Sequence, residues 1–358
     1  MTPVDAGPTR PTRAGPATGN GRETGDSPVP AARAAGYEIR DPLRYQRRGP
    51  RLRERIVLAG YRAAVAVLGR LPLGPAARAG GWMAVLVYWL WPPKRRIVQA
   101  NAAHVLRVAP SDPAAGRLAR AVFRNQARWI LESLRLGRLK PGQAEASVDT
   151  GAWPRLSAAR ADDGRLIMVG AHLGNGEIGV AAIARHGLPI RLLIDDTAYE
   201  DLLEVMHAPR RAWGVELIRW RNLREVYRVL RAGEVLALLV DWGYRPDGLP
   251  VRLFGDWTTL PAGPATLGAR TGAPLVVVWT IRRPDGSFVA GVGTPVHVAS
   301  DEPAELVRAT QAIADDLERA IGLAPEQWTT FKPIWPADPA EGRRLATQHA
   351  AMAGAAEA

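Results

Sequence analysis

The chain contains no cysteine, which excludes disulfide scaffolds, thiolate zinc sites and cysteine nucleophiles. Its longest uncharged runs, Ala79 to Pro93 and Gly286 to Ser300 with histidine counted as neutral, are 15 residues each. A helix needs roughly 20 to span a bilayer, so a multi-pass membrane architecture is excluded. None of the six histidines forms an H-x-x-x-H pair, so a local zinc motif is absent and no metal is expected. There is no G-x-S-x-G elbow and no P-loop, which sets aside serine hydrolases and P-loop nucleotide-binding enzymes with standard signatures. Lysine occurs only three times, as Lys94, Lys140 and Lys332.

Nearly all positive charge is therefore arginine. The 358 residues hold 47 basic and 35 acidic side chains, a formal charge of +12. Abundant alanine, glycine and arginine also fit a GC-rich coding bias, but an arginine excess favours phosphate head groups, acyl-carrier proteins or nucleic acid as partners. With 47% apolar and 23% charged residues, the composition is that of a folded domain.

Composition divides the chain into four stretches. Residues 1–50 include fifteen Gly or Pro and read as a disordered, Arg/Pro/Gly-rich tail that buries too little surface to offset its ordering entropy. They carry no compact apolar stretch of the kind a secretory signal needs. Residues 51–140 read as helical. Within them Trp82, Tyr88, Trp89 and Trp91 precede Pro92, Pro93, Lys94, Arg95 and Arg96, and aromatic rings beside a basic cluster suit a membrane interface. An apolar helix buried in the core is the competing reading, and interfacial attachment is preferred. Residues 141–337 alternate strand and helix, which predicts an α/β core around a largely parallel sheet flanked by helices. Residues 338–358, rich in alanine, are expected to be a flexible tail.

One histidine stands out. His172 follows the apolar strand Leu166 to Val169 and precedes Leu173-Gly174-Asn175-Gly176-Glu177, which opens a helix. Ligands of open α/β sheets sit at the carboxyl ends of strands, glycines admit close backbone approach, and a helix start offers free N–H groups to an anion. A histidine there can act as a general base if a carboxylate fixes its tautomer. Glu177, five residues on, would lie about 140° around a continuous helix, so the two meet only if His172 belongs to the preceding loop. Asp241 ends another apolar strand, Val235 to Val240.

These residues resemble a known family. His172-Leu173-Gly174-Asn175-Gly176-Glu177 is similar to the H-x4-D/E motif of the glycerolipid and lysophospholipid acyltransferase superfamily. The likeness is strongest to the branch of lipid A lauroyl/myristoyl and phosphatidylinositol mannoside acyltransferases. Three further blocks agree in order. Asp241-Trp242-Gly243-Tyr244 with Val251-Arg252-Leu253-Phe254-Gly255 resembles D-x-D-Y-G…V-x-F-F-G. Pro261-Ala262-Gly263-Pro264-Ala265 with Arg270-Thr271-Gly272-Ala273 resembles G-P-A…R-T-G-A, and Ala324-Pro325-Glu326-Gln327-Trp328 resembles P-E-Q-W. Gly243 in place of a second acid, and Phe331-Lys332-Pro333-Ile334-Trp335 in place of a basic H-R-R-F-type run, lean toward the mannoside branch.

The resemblance implies O-acyl transfer from acyl-CoA or acyl-carrier protein, as co-substrate rather than cofactor, to a hydroxyl of a membrane glycolipid or phospholipid. His172 would be the base, oriented by Glu177 or by Asp241, with backbone N–H groups around Gly174 and Asn175 stabilising the oxyanion. Arg210 and Arg211 are candidates for gripping substrate phosphate, because guanidinium suits bidentate contacts. A solvated basic helix end is the plain alternative for them. The expected setting is the cytoplasmic face of the cell membrane, on an anionic surface and without nucleic acid as partner. Two other functions remain open: a thioesterase in which His172 activates water, and a non-catalytic basic module that binds anions.

Overall fold

The computed structural model describes residues 51–139, 142–194 and 200–354. The 1–50 tail thus lies outside the described residues, as do the last four positions. Nine strands are present among the described residues: β1 (Val148–Asp149), β2 (Leu166–Gly170), β3 (Ile190–Ile194), β4 (Glu216–Arg219), β5 (Val235–Leu239), β6 (Leu249–Leu253), β7 (Asp256–Leu260), β8 (Leu275–Arg282) and β9 (Phe288–Val292). Seven form one sheet in the order β1-β9-β8-β2-β5-β3-β4. Every pairing in it is parallel except β8 with β9. The α/β architecture expected from alternating apolar runs and helical segments is the one observed.

Strand β2 sits at the centre of the sheet, and all five of its residues are buried. That accounts for its uninterrupted apolar run, since parallel strands covered on both faces need no polar alternation. The helices Gly176–Arg185, Glu200–Ala212 and Leu223–Arg231 connect β2, β3, β4 and β5 in turn. Because β5 inserts between β2 and β3, the chain direction across the sheet reverses beside β2. Such switch points leave a crevice at the carboxyl ends of the strands.

The sequence marks Val251-Arg252-Leu253-Phe254-Gly255 only as a motif, whereas the structure makes it part of a hairpin of β6 and β7. Its two-residue turn holds Phe254 at φ 50° and Gly255 at φ 88°. Two positive φ values are what a tight turn matching strand twist requires. Phe254 tolerates this because its N–H donates to Glu318 Oε2 at 2.5 Å and its ring is buried beside Trp335.

Helices Leu52–Val67, Leu73–Leu90, Pro92–Leu106 and Pro113–Ser133 precede the sheet. Tyr88 of the second packs edge-on against Phe123 of the fourth, which in turn packs against Phe331. The remaining apolar face of Leu73–Leu90 is uncovered. Trp82 is 77% exposed and Leu90 72%, with Met83, Leu86 and Trp89 also open, so burial of this helix in the core is overturned. Among the described residues no helix is long and apolar enough to cross a membrane. The expectation of a flexible stretch at 338–358 is corrected: Pro339–Gly354 is a helix whose Leu345 is fully buried. Tyr244 Oη donates to Glu341 of that helix. Alanine richness does not prevent an ordered helix, because a small apolar stripe suffices for docking once a partner surface is present.

Candidate active site

Parallel pairing of β2 with β5 aligns Gly170 with Leu239. Continuing each strand by two residues brings His172 and Asp241 side by side, and this register makes the site. His172 Nδ1 lies 2.8 Å from Asp241 Oδ1, and the His172 backbone N–H donates to Asp241 Oδ2 at 2.8 Å. A carboxylate only accepts, so Nδ1 carries the proton and Nε2 is left with its lone pair. The Trp328 indole N–H adds a third donor to Asp241, on Oδ2 at 2.9 Å. His172 keeps 32% of its side chain open to solvent while Asp241 keeps 5%.

The electrostatics follow. Burial raises the Asp241 carboxyl, but the charge and hydrogen bonds of His172, with that of Trp328, outweigh it and hold it below the ordinary 3.8. Burial and the charge of Lys332 both lower His172, but the attraction and hydrogen bond of Asp241 win, and its pKa lies above the ordinary 6.5.

Of the two carboxylates considered as partners for the imidazole, only Asp241 touches it. Glu177 faces Arg210 instead: Arg210 Nε donates to Glu177 Oε2 at 2.7 Å and its Nη2 to Oε1. Arg210 is buried, and its Nη1 also contacts His207 Nδ1 at 3.0 Å. Burial, then the charges of Arg210 and Arg211, push the His207 imidazole down to about 4, so it is neutral. Arg211 is half-exposed and paired with Glu204. Neither arginine stands free to grip a phosphate as the sequence suggested.

The expected oxyanion donors are likewise committed elsewhere. Gly174 N–H donates to Gln327 O at 3.0 Å and Asn175 N–H to Thr280 O at 2.9 Å. These bonds stitch the His172 loop to β8 and to the Pro-Glu-Gln-Trp block. Asn175 is fully buried, its Nδ2 donating to Glu132 Oε2 at 2.8 Å while its Oδ1 caps the next helix by accepting from Ile178 N–H at 3.3 Å. Glu132 in turn holds Arg282, whose Nε donates to Oε1 at 2.8 Å. Gln327 pairs with the Arg282 backbone in both directions, at 2.9 and 2.8 Å. The loop thus rests on a buried polar network from three distant segments. Glu132 and Arg282 carry no signal in the sequence, whereas Gln327 and Trp328 are marked there only by their block.

Gly174 shows how tightly the loop is pressed on β8. It sits at φ +63°, and a Cβ there would lie 1.9 Å from Thr280 O. Substitution Gly174→Ala is expected to cost about 3 kcal/mol, combining left-handed strain with overpacking. A urea unfolding midpoint measures it, and a variant as stable as the parent would contradict the packing.

Behind Asp241 lies a void of about 10 Å³ bordered by Val240, Leu260, Ile321 and Trp328. That volume admits at most one water. On the open side, the Trp242 ring lies nearly parallel to the His172 ring, with centroids 5.7 Å apart.

A polarised imidazole at the switch point of an α/β sheet, with no serine bonded to it among the described residues, suits proton abstraction from a hydroxyl. Known proteins agree on the class. The model of the bacterial lipid A biosynthesis acyltransferase family matches residues 51–336. The chain belongs to this family. The acyltransferase is 28% identical over 261 residues to the phosphatidylinositol mannoside acyltransferase of Mycobacterium tuberculosis (strain ATCC 25618 / H37Rv), across 69% of this chain and 79% of that protein. Its identity to the phosphatidylinositol mannoside acyltransferase of Mycolicibacterium smegmatis is also 28%, over 258 residues covering 69% and 81% of the two. The family match ends before the Pro339–Gly354 helix of the acyltransferase begins.

Proposed function

We propose that this glycolipid acyltransferase moves a fatty acyl chain from acyl-CoA or acyl-carrier protein to a hydroxyl of a phosphatidylinositol mannoside-type acceptor, on the cytoplasmic face of the cell membrane. The observation that carries the reading is the His172–Asp241 pair at the carboxyl ends of two adjacent parallel strands. His172 Nε2 takes the acceptor hydroxyl proton as the oxygen attacks the thioester carbonyl. Asp241 holds the imidazole in the tautomer that leaves Nε2 basic and stabilises the imidazolium that forms. The tetrahedral intermediate collapses with cleavage of the C–S bond, and the departing thiolate recovers the proton from Nε2. An ester and a free thiol result, without a covalent acyl-enzyme and without metal chemistry.

The uncovered face of Trp82, Met83, Leu86, Trp89 and Leu90, followed by Lys94, Arg95 and Arg96, supports work at a lipid surface. Aromatic rings sit at head-group depth while basic side chains meet lipid phosphate. In vesicle co-sedimentation, Trp82→Ser combined with Trp89→Ser is expected to reduce the bound fraction at least tenfold on anionic vesicles. Unchanged binding would remove the membrane from this reading.

The deciding assay supplies a long-chain acyl-CoA with and without vesicles of phosphatidylinositol mannosides. Ester product and thiol release that both require the acceptor support transfer. Thiol release at the same rate without acceptor would make the protein a thioesterase. Product formation that survives His172→Ala at the parental rate would remove the base.

A further inference from the structure

Lys332 stands out in a chain that uses arginine almost everywhere else. Its side chain is exposed, and its Nζ lies 4.3 Å from the centroid of the Trp242 ring, the ring that also lies parallel to His172. Among the described residues no carboxylate pairs with it. The backbone beneath it is clamped from two sides. Asn101, buried on the Pro92–Leu106 helix, donates from Nδ2 to Lys332 O at 2.8 Å and accepts from Ile334 N–H at 3.2 Å. Lys94 Nζ donates to Phe331 O at 2.9 Å, and Pro333 O accepts from Tyr244 N–H at 2.8 Å.

The structure therefore holds a cation at the mouth of the site, on a fixed backbone and a flat aromatic seat. That placement has a cost: a positive charge near His172 opposes formation of the imidazolium and lowers its basicity. An arriving anion would cancel the effect. Lysine is a compact point charge with three donors on a flexible stem, which suits a phosphate approached from varied directions.

We propose that Lys332, seated on Trp242, binds the phosphate of a substrate and thereby aligns it with His172. This rests on the acyl-transfer reading of the same site. The chemistry is a phosphate mono- or diester, and two sources offer one: the donor, through CoA or phosphopantetheine, and the acceptor, through an inositol phospholipid head group.

The test compares Lys332→Gln and Lys332→Arg with the parent on four substrates. The donors are a long-chain acyl-CoA and the corresponding acyl-pantetheine, which lacks phosphate. The acceptors are vesicles of phosphatidylinositol mannosides and of mannosyl-diacylglycerol, which lacks it too. Lys332→Gln is expected to raise KM for one phosphate-bearing substrate at least tenfold, with kcat changed less than threefold. KM for its phosphate-free counterpart should stay unchanged, and Lys332→Arg should restore most of the loss. A rise confined to acyl-CoA assigns the donor, and one confined to phosphatidylinositol mannosides assigns the acceptor. Equal losses with and without phosphate, a fall in kcat alone, or no change at all would overturn the proposal. Calorimetric titration of the full chain with CoA and with glycerophosphoinositol reads the contact without turnover. It therefore decides the phosphate site even if the parent transfers no acyl group, a result that would instead sink the functional reading.

Discussion

Substitution of Asp241 by asparagine is expected to lower kcat by about 10³ to 10⁴-fold, the scale seen when the carboxylate of a Ser-His-Asp triad is replaced. Asparagine keeps the shape and can still accept from Trp328, so the fold should persist. What changes is the imidazole. Without the carboxylate, Nδ1 is no longer the favoured site of the proton, and no charge stabilises the imidazolium. The pH profile gives a second, independent reading. In the parent, Asp241 raises the His172 pKa above 6.5 despite burial and the charge of Lys332. The base works only when neutral, so kcat/KM should be full above that raised value and fall as pH drops through it. In Asp241→Asn the burial and Lys332 effects remain while the attraction is gone, so the acid limb should shift to lower pH. A profile whose acid limb coincides with that of the parent would show that Asp241 does not set the basicity of His172. Glu177→Gln, by contrast, should leave the limb where it is, because Glu177 contacts Arg210 and not the imidazole.

Replacing Arg282 with methionine is expected to destabilise the protein by about 3 kcal/mol, the low end for breaking one side of a buried ion pair. The low end applies because Arg128 Nε also contacts Glu132 Oε1, at 3.1 Å. The loss leaves Glu132 buried with a weakened set of donors and loosens the carboxylate that anchors Asn175, so kcat should fall along with stability. The pair Glu132→Leu with Arg282→Met should be less destabilising than Arg282→Met alone, since no buried charge then lacks its partner. Denaturant midpoints of the parent and the two variants measure this. A single variant within 1 kcal/mol of the parent would mean that the network contributes little to the loop.

Much of the scaffold was legible because its signals are local. The apolar runs Leu166 to Val169 and Val235 to Val240 each depend only on neighbours in sequence. Both His172 and Asp241 could be placed at strand ends for the same reason. The β6–β7 hairpin escaped notice because its turn puts a phenylalanine where glycine or asparagine is the usual marker. The C-terminal helix escaped because its short apolar stripe is buried only by tertiary partners, the helix Pro303–Leu323 and the β6–β7 hairpin.

By itself the sequence determined the class of chemistry: an α/β sheet with a histidine at the end of its central strand, in blocks ordered like those of an acyltransferase family. Only the tertiary structure decided which carboxylate serves that histidine. Strand register is a long-range property, and pairing Gly170 with Leu239 brings Asp241 to the imidazole across 69 residues of chain. Helical geometry turns Glu177, five positions away, toward Arg210 instead. Other long-range contacts, with Gln327 and Thr280, consume the Gly174 and Asn175 N–H groups, and the fold leaves Lys332 beside the opening, where a charge can be felt only through space.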